Sequence, residues 1–471
     1  MKNKIYILKI ALTLMLVTSV VSCSIDDVKP LNQLTTENAI RDEQSAQAVL
    51  NGIYGGWRAI ELNAFPLHLG ALGNEGFFSG TITGSTGFNA NQVKPENLYL
   101  GFLYNAHYKI INGSNFLIEE LEKGKAVGIS DERKTELIMQ AKFARAMANF
   151  NLLRYFGQFY DQNSSYGIVL KTTFSTDVVF AQRNSVQEVY ASIVADLEDA
   201  SANGPSMVAH YFAGKVASTA LLARVKLYMN DYEGAAAAAQ EVILNAEGYE
   251  LETNYGSIFS NTYNSSEAIF AIYHTQTPEG GSGMYQINRT KYSETLRTLA
   301  DAQIDGAGSL TESGSGYDPR FSYAYATSTK GTNLNGKYPV NTFQANSENN
   351  TLFYIRLGEI YLIHAEAEAR KAGGNLDDAL TSLNAIRERA GVEAYELSDK
   401  TTLLTQIREE KLLELFFENG ETWFDLIRYH KLGDVSAFAE KASLTSETQF
   451  ILPMPLNVLS ANNLLIQNPG Y

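Results

Sequence analysis

The sequence predicts a mainly α fold: a frame of stacked helical hairpins that carries loop-rich inserts with short strands. Three observations lead there. Apolar residues recur at three- and four-residue steps over several stretches, two pairs of such stretches are joined by tight turns, and long segments rich in Gly, Ser, Asn and Thr without helical period separate them. With 45% hydrophobic residues the chain has material for a substantial core.

The chain opens on an export signal. Lys2, Lys4 and Lys9 precede or flank an apolar run from Ile10 to Val21, shorter than the roughly 20 residues a membrane-spanning helix needs. The run closes on Val20-Val21-Ser22-Cys23, an aliphatic residue, a small residue and the only cysteine of the chain. That pattern makes residues 1–22 a lipoprotein signal peptide and Cys23 the acylated mature N-terminus, because acyl chains at about 0.8 kcal/mol per buried CH₂ hold a domain that lacks an apolar helix. Residues 23–33, with Asp26 and Asp27, form an acidic tether.

The helical frame is expected over 34–61, 100–246 and 353–431. Leu34 to Asn38 opens its first helix, with Thr35 or Thr36 as N-cap, and Ala46, Val49, Leu50 and Ile53 supply the apolar face. Trp57, one turn on, belongs to the core. From Glu132 to Gly157 a second stripe runs through Leu137, Ala141, Ala144, Ala148 and Leu152, and Ser185 with Glu188 three residues later begins a third helix.

Two helical hairpins follow, Gly214–Met229 with Tyr232–Leu244, and Tyr354–Ala372 with Leu376–Ala390. Ala217, Ala220, Ala223, Ala365 and Ala369 stand where paired helices approach closely. The pairs resemble tetratricopeptide repeats in their length of about 34 residues, and stacked pairs of that kind form a right-handed helical frame. Helices over Thr401–Phe417 and Trp423–Lys431 complete it. The loop-rich regions are 62–99 and 247–352, the latter holding short alternating pieces such as Ala268 to His274, and the tail 450–471 is extended where Pro453 and Pro455 bias their predecessors away from helix.

Charge and composition exclude several functions. With 37 basic against 52 acidic residues the net charge is −15, and loss of the leader lysines makes the mature chain more acidic, which disfavours nucleic acid and anionic lipid as partners. Acylation of Cys23 leaves no thiol for a disulfide, a zinc site or a nucleophile. His68, His107, His210, His274, His364 and His430 are scattered, and neither an HExxH pair, a phosphate-binding GK[ST] loop nor a GxSxG elbow is present. His364 and Glu368 share a helix face without a third ligand, so a plain helix-surface contact is expected, and Glu119-Glu120 and Glu409-Glu410 are expected on solvated faces, since neighbouring helical residues diverge. No catalytic residue, cofactor or metal is therefore expected.

Several segments carry a family likeness. The chain ends on Gln467-Asn468-Pro469-Gly470-Tyr471, preceded by Leu452-Pro453-Met454-Pro455 and by Trp423-Phe424-Asp425-Leu426-Ile427-Arg428. Upstream lie RLGEIYLIHAEAEAR and LNAIRERAGV within Arg356 to Val392, AKFARAMANFNLLRYFG, SVQEVYASIVADLEDA, LTTENAI and LNGIY. In this order they resemble the SusD/RagB family of nutrient-binding outer-membrane lipoproteins, and Ser24-Ile25-Asp26-Asp27 resembles the surface-export signal of Bacteroidetes lipoproteins. The sequence departs from the family pattern at Thr422, where Arg is expected, and at Lys411, where Arg is common. Each loses a guanidinium, so the local ion pairing must differ.

The resemblance implies a single SusD-like domain over 34–471. It also implies a cell-surface protein without enzymatic activity, which captures oligosaccharides or other oligomeric nutrients and hands them to a SusC-like TonB-dependent transporter. The membrane would be met through the lipid anchor only. In the family the two loop-rich regions border the ligand, and sugar recognition asks for flat apolar faces with amides and charged groups beside them. Phe77, Phe78, Phe88 and Asn91 in the first region, and Tyr285, Arg289, Tyr292, Tyr317 and Tyr325 in the second, are the candidates; Arg320 and Tyr338 lie in the same stretch. Each ring has a core reading beside the functional one. The rival function is a surface glycoside hydrolase or peptidase with an unrecognised site, and a variant keeps the fold with a peptide ligand, as the RagB branch implies.

Overall fold

Helix α1 (Glu43–Gly55) begins at a capping box later than expected. Asp42 accepts from the Ser45 amide at 2.8 Å while the Ser45 hydroxyl accepts from the Asp42 amide at 3.0 Å. Glu37 to Ile40 form turns, so a helix opened at Thr35 or Thr36, which lie outside the described residues, does not run on into α1. The computed structural model describes residues 37–177, 180–206, 208–245, 247–272, 283–301, 318, 320, 336–340 and 350–471, the side chains at 60, 285, 288, 289, 297, 300 and 301 excepted.

Short helices α2 (Ile60–Asn63) and α3 (Phe65–Leu72) and strand β1 (Gly76–Phe78) follow. They give regular structure to the first part of the region 62–99, which was expected to be loop-rich. All eight residues of α3 are buried, so it has no polar face and hence no amphipathic period to detect.

The frame is a serial stack. Long helices α4 (Leu98–Glu122) and α5 (Asp131–Phe156) pack on one another, α5 on α6 (Val186–Asn203), α6 on α7 (Lys215–Tyr228), and α7 on α8 (Tyr232–Ile243). Ser185 and Glu188 form the expected capping box of α6. Beyond the second loop region, α11 (Leu357–Arg370) packs directly on α8 and on α12 (Leu376–Ala390), and α13 (Lys400–Leu415) closes over both. The insert thus interrupts the sequence without interrupting the stack. Ala220, Ala223 and Ala365 are fully buried, and Ala365, Ala369 and Ala379 sit in one cluster with Leu362, Leu383, Ile386, Leu403 and Ile407.

The second region carries α9 (Tyr255–Ser260), β2 (Ala268–Ile272), a 3₁₀ turn (Gly283–Arg289), β3 (Thr290–Tyr292), α10 (Glu294–Asp301) and β4 (Leu352–Arg356). Strand β2 pairs antiparallel with β4, from Ala268 opposite Arg356 to Ile272 opposite Leu352. Both strands are buried along their whole length rather than alternating. Tyr354 therefore lies in a strand, and the helix expected from Tyr354 begins at Leu357.

After α13 come α14 (Glu421–Leu432), α15 (Ala437–Glu440) and α16 (Leu456–Ala461). The C-terminal pentapeptide staples the extended segment before it. Gln467 accepts from the Met454 amide at 2.7 Å and donates to its carbonyl at 3.0 Å, and the Asn468 amide donates to Phe156 O and Leu452 O at 2.9 and 2.7 Å. Tyr471 donates to Ile451 O at 3.0 Å.

Candidate ligand face

The two loop regions meet in a ribbon. Strand β1 pairs antiparallel with β3, placing Gly76 opposite Tyr292, Phe77 opposite Lys291 and Phe78 opposite Thr290. Period-2 alternation turns Phe78, Thr290 and Tyr292 inward and leaves Phe77, 41% exposed, beside exposed Lys291 on the outer side. A phenyl ring next to an ammonium offers a flat apolar surface together with a hydrogen-bond donor.

What holds the ribbon in place is the turn Phe416–Gly420 between α13 and α14. Phe417 and Asn419 adopt left-handed backbone at φ 54° and 47°, as does Gly420. The Phe417 amide donates to the Glu75 carboxylate at 2.7 Å and its carbonyl accepts from Tyr338 at 2.8 Å. Its ring lies where only glycine fits beside it: a Cβ on Gly76 would stand 2.6 Å from the ring and 2.5 Å from Lys291 O. Burial pushes the Glu75 carboxyl up to about 8, against the opposing effects of the Phe417 amide and Lys337, and its second oxygen has no hydrogen-bond partner among the described residues.

A charged network fastens the insert to the same turn. Arg356, at the end of β4, donates to Glu418 at 2.7 Å and to Glu414 at 2.6 Å, and Arg389 of α12 donates to Glu267 at 2.5 Å and Glu414 at 2.6 Å. From within the insert, Arg320 reaches Glu410 at 2.6 Å, Glu414 at 3.0 Å and Asp318 at 2.6 Å. Lys337 donates to Phe416 O at 2.7 Å and pairs with Glu418 at 2.7 Å. Burial alone would raise the Glu414 carboxyl, but Arg389, Arg356 and Arg320 overcome it and hold the group well below the usual carboxylate range.

These placements sort the expected residues. Among the described candidates Phe77 is the ring with an open face. Phe78 and Phe88 are buried against His68, and Tyr292 is buried against Phe416 and Phe417. Asn91 is a buried left-handed turn residue, donating to Leu72 O at 2.9 Å and accepting from Ser443 at 2.5 Å. The backbones of Tyr285 and Arg289 lie in the 3₁₀ turn that leads into β3, with side chains outside the described residues, as are Tyr317 and Tyr325 entirely. Arg320 and Tyr338 are buried and structural. The sequence reading missed Lys291, which becomes visible only once the pairing with Phe77 is known, and Asn89, whose amide brackets Phe78 by accepting from its N–H at 2.8 Å and donating to its carbonyl at 3.0 Å.

Two expectations about charged residues change. Glu410 is buried between Arg320 and Arg387 rather than solvated. His364 is also buried, and its Nδ1 lies 2.8 Å from Ser382 Oγ of α12. Among the described residues no group of three or more His, Cys, Asp or Glu is placed to hold a metal, and no helix is long and apolar enough to cross a membrane.

The sequence model of the SusD family matches residues 176–471, and a second, described as starch-binding associating with outer membrane, matches residues 27–227. The chain belongs to the SusD/RagB family. A SusD-like protein of Formosa agariphila is 25% identical over 97% of this chain and 98% of its own length, and one of Bacteroides ovatus 24% identical over 72% and 67%. Among solved structures, a SusD superfamily protein of Bacteroides thetaiotaomicron aligns with a TM-score of 0.74 at 24% identity, covering 91% of this chain and all of that one. A laminarin-binding SusD-like protein aligns at 0.70 and 23% identity, over 92% and 100%. The tetratricopeptide-like helical frame is thus that of the SusD superfamily.

In this SusD-family chain the two departures from the family pattern have different outcomes. Lys411 does the work of a guanidinium with one ammonium, donating to Glu366 at 2.7 Å and to Asp425 at 3.0 Å. Thr422 is buried and its hydroxyl has no hydrogen-bond partner among the described residues.

Proposed function

We propose that this protein is a lipid-anchored, non-catalytic glycan-binding protein of the outer cell surface, which captures oligosaccharides and delivers them to a SusC-like TonB-dependent transporter. The observation that carries this reading is the ribbon joining the two loop regions, with Phe77 open beside Lys291 at the point where they meet. An exposed phenyl stacks on pyranose C–H groups and a neighbouring ammonium donates to hydroxyls. Membership of the SusD/RagB family and the laminarin-binding relative of like fold support a glycan as ligand. The 3₁₀ turn bearing Tyr285 and Arg289 runs into this ribbon, and those residues, with Tyr317 and Tyr325, complete the proposed face.

The test is calorimetry with β-1,3-glucan, malto-oligosaccharide and peptide ligands. Phe77→Ala is expected to weaken glycan binding by about 0.5–1.5 kcal/mol beyond the lost contact area while leaving the melting temperature unchanged. Unaltered glycan binding in the variant would remove Phe77 from the face, and turnover of a glycan or peptide by the purified chain would move the assignment to a hydrolase. For the anchor, Cys23→Ala is expected to leave the membrane fraction. Retention there with incorporation of labelled palmitate would refute the role of Cys23. Co-purification with a SusC-like transporter from the cells that make the protein tests the partner.

A further inference from the structure

Residues 448–471 hold no Asp, Glu, Lys or Arg, although these types make up 19% of the chain. Residues 97–108, which lead into and open α4, hold none either. The fold brings the two charge-free stretches together. The Leu456 amide donates to Pro95 O at 2.9 Å, and a Cβ on Gly101 would stand 2.6 Å from Asn457 Oδ1, so α16 lies directly on the first turn of α4. Past α16, Asn462 donates to Ala181 O at 2.8 Å and Arg183 donates to Asn468 at 2.6 Å, which adds the segment at Phe180.

Around this one short helix the surface is apolar. Leu98 and Phe102 share a face of α4 at i and i+4, Leu456 opens α16, Leu464 and Ile466 follow it, and Phe180 precedes the carbonyl that Asn462 holds. These residues are 44% to 73% exposed and make up six of the eleven exposed large hydrophobics among the described residues, so such side chains are gathered here rather than scattered. By these fractions they leave roughly 600 Å² uncovered, the upper end of one patch on a monomer and most of the about 800 Å² that each side of a standard interface contributes.

Charge selects the occupant. With a net charge of −15, two copies of the chain repel one another wherever charged surfaces meet, and this neutral patch is where a second copy approaches without that cost. An apolar patch is also complementary to itself, as a two-fold interface requires, because there one surface serves both subunits. Its rim meets the same condition. Lys94 and Glu96 are exposed beside Leu98 and have no ion pair among the described residues, so each can face the other's counterpart across a two-fold axis. A lipid surface fits less well, since the chain leading from Cys23 joins the frame at Arg41, bonded to Val127 near the far end of α4, roughly 37 Å of helix from Leu98. We propose that this surface pairs two copies of the chain about a two-fold axis, with α16 and the start of α4 of each copy at its centre. The inference does not rest on the glycan reading of the ribbon.

The experiment is sedimentation velocity, over a concentration series, of the chain from Ser24 onward, in which neither the leader nor an acyl chain takes part and which contains every helix and strand described above. A monomer–dimer equilibrium is expected, tighter at higher salt because screening weakens the repulsion between copies. Phe102→Glu and Leu464→Glu are each expected to raise the dissociation constant at least tenfold, whereas Phe77→Glu on the ribbon leaves it unchanged. Lys94→Glu is expected to weaken association several-fold and the added change Glu96→Lys to restore it, a rescue that a merely structural role of either residue does not produce. A monomer at every concentration up to millimolar overturns the proposal. So does a dimer that persists undiminished in folded Phe102→Glu and Leu464→Glu, since it uses another surface. Binding of the monomer to phosphatidylcholine vesicles that is lost in Phe102→Glu assigns the patch to lipid and overturns it as well.

Discussion

The helical stack and the loop-bearing side bury comparable kinds of backbone by opposite means. In the cluster between the helices of the second hairpin and α13, Ala365, Ala369 and Ala379 let helices approach closely and leucines and isoleucines fill the space around them. Around the turn at Phe416–Gly420 the filling is ionic: Glu267, Glu410, Glu414 and Glu418 are buried with Arg320, Arg356 and Arg389. Apolar packing forms between neighbours in the chain and tolerates volume-conserving change. The ionic cluster instead joins residues 58, 62 and 89 positions apart at Arg356 alone. Removal of one member strands several others in low dielectric. The difference teaches that close helix approach rests on small side chains, whereas the irregular turn is held chiefly by charge, which also ties stacked helices where Arg224 meets Glu359 and Lys411 meets Glu366.

The sharpest way to break the comparison is Arg356→Ala, which leaves the carboxylates of Glu414 and Glu418 short of a partner. It is expected to cost about 3–5 kcal/mol in urea unfolding, and a loss below about 1 kcal/mol would mean that the network contributes little. Ala365→Phe attacks the other side. Overpacking there should cost about 1–3 kcal/mol, so an unchanged melting temperature would argue that the hairpins are loosely apposed.

The smallest effect is in pH dependence, and Glu75→Gln reveals it. In the unfolded chain this carboxyl ionises near 4.5, whereas burial holds it protonated to about 8 in the folded protein. As pH rises through that window the unfolded state gains by ionising and the folded state does not, so stability attributable to Glu75 is lost. Unfolding midpoints measured at about pH 5 and about pH 8 should fall less steeply in Glu75→Gln, which keeps an acceptor for the Phe417 amide. An identical slope in both proteins would show that Glu75 is ionised in the folded state.

Legibility in the sequence followed the same divide. The helix pairs were readable because alanines and leucines recur with a 3.6-residue period, and Ser185 with Glu188 marked a true helix start. Helix Phe65–Leu72 was not, because a segment buried on every side has no period. Strand Leu352–Arg356 was absorbed into the following helix for a related reason, since a short apolar run does not reveal its own geometry. Asp42 was passed over as a cap in favour of Thr35 and Thr36, although Ser45 three residues on completes its box. At the proposed ligand face, aromatic content points to Phe77 and equally to Phe78 and Phe88, because alternation along a three-residue strand is too brief to separate outward from inward rings. Lys291 drew none, since its place depends on pairing with a strand more than two hundred residues earlier.

The neck formed by Ile272 and Leu352 makes the intervening segment a cassette. Because those two residues are register partners in one ribbon, the chain leaves and rejoins the β2–β4 pair side by side, while Arg320 and Lys337 within the segment clamp it to Glu410, Glu414 and Glu418. Doubling the length of a flexible loop adds only about 0.6 kcal/mol of closure entropy. A lineage is thereby free to lengthen or shorten the stretches between these clamped residues, with its helices inherited almost unchanged so long as Arg320 and Lys337 keep their carboxylate partners. An engineer has the same freedom, with splice points already set side by side.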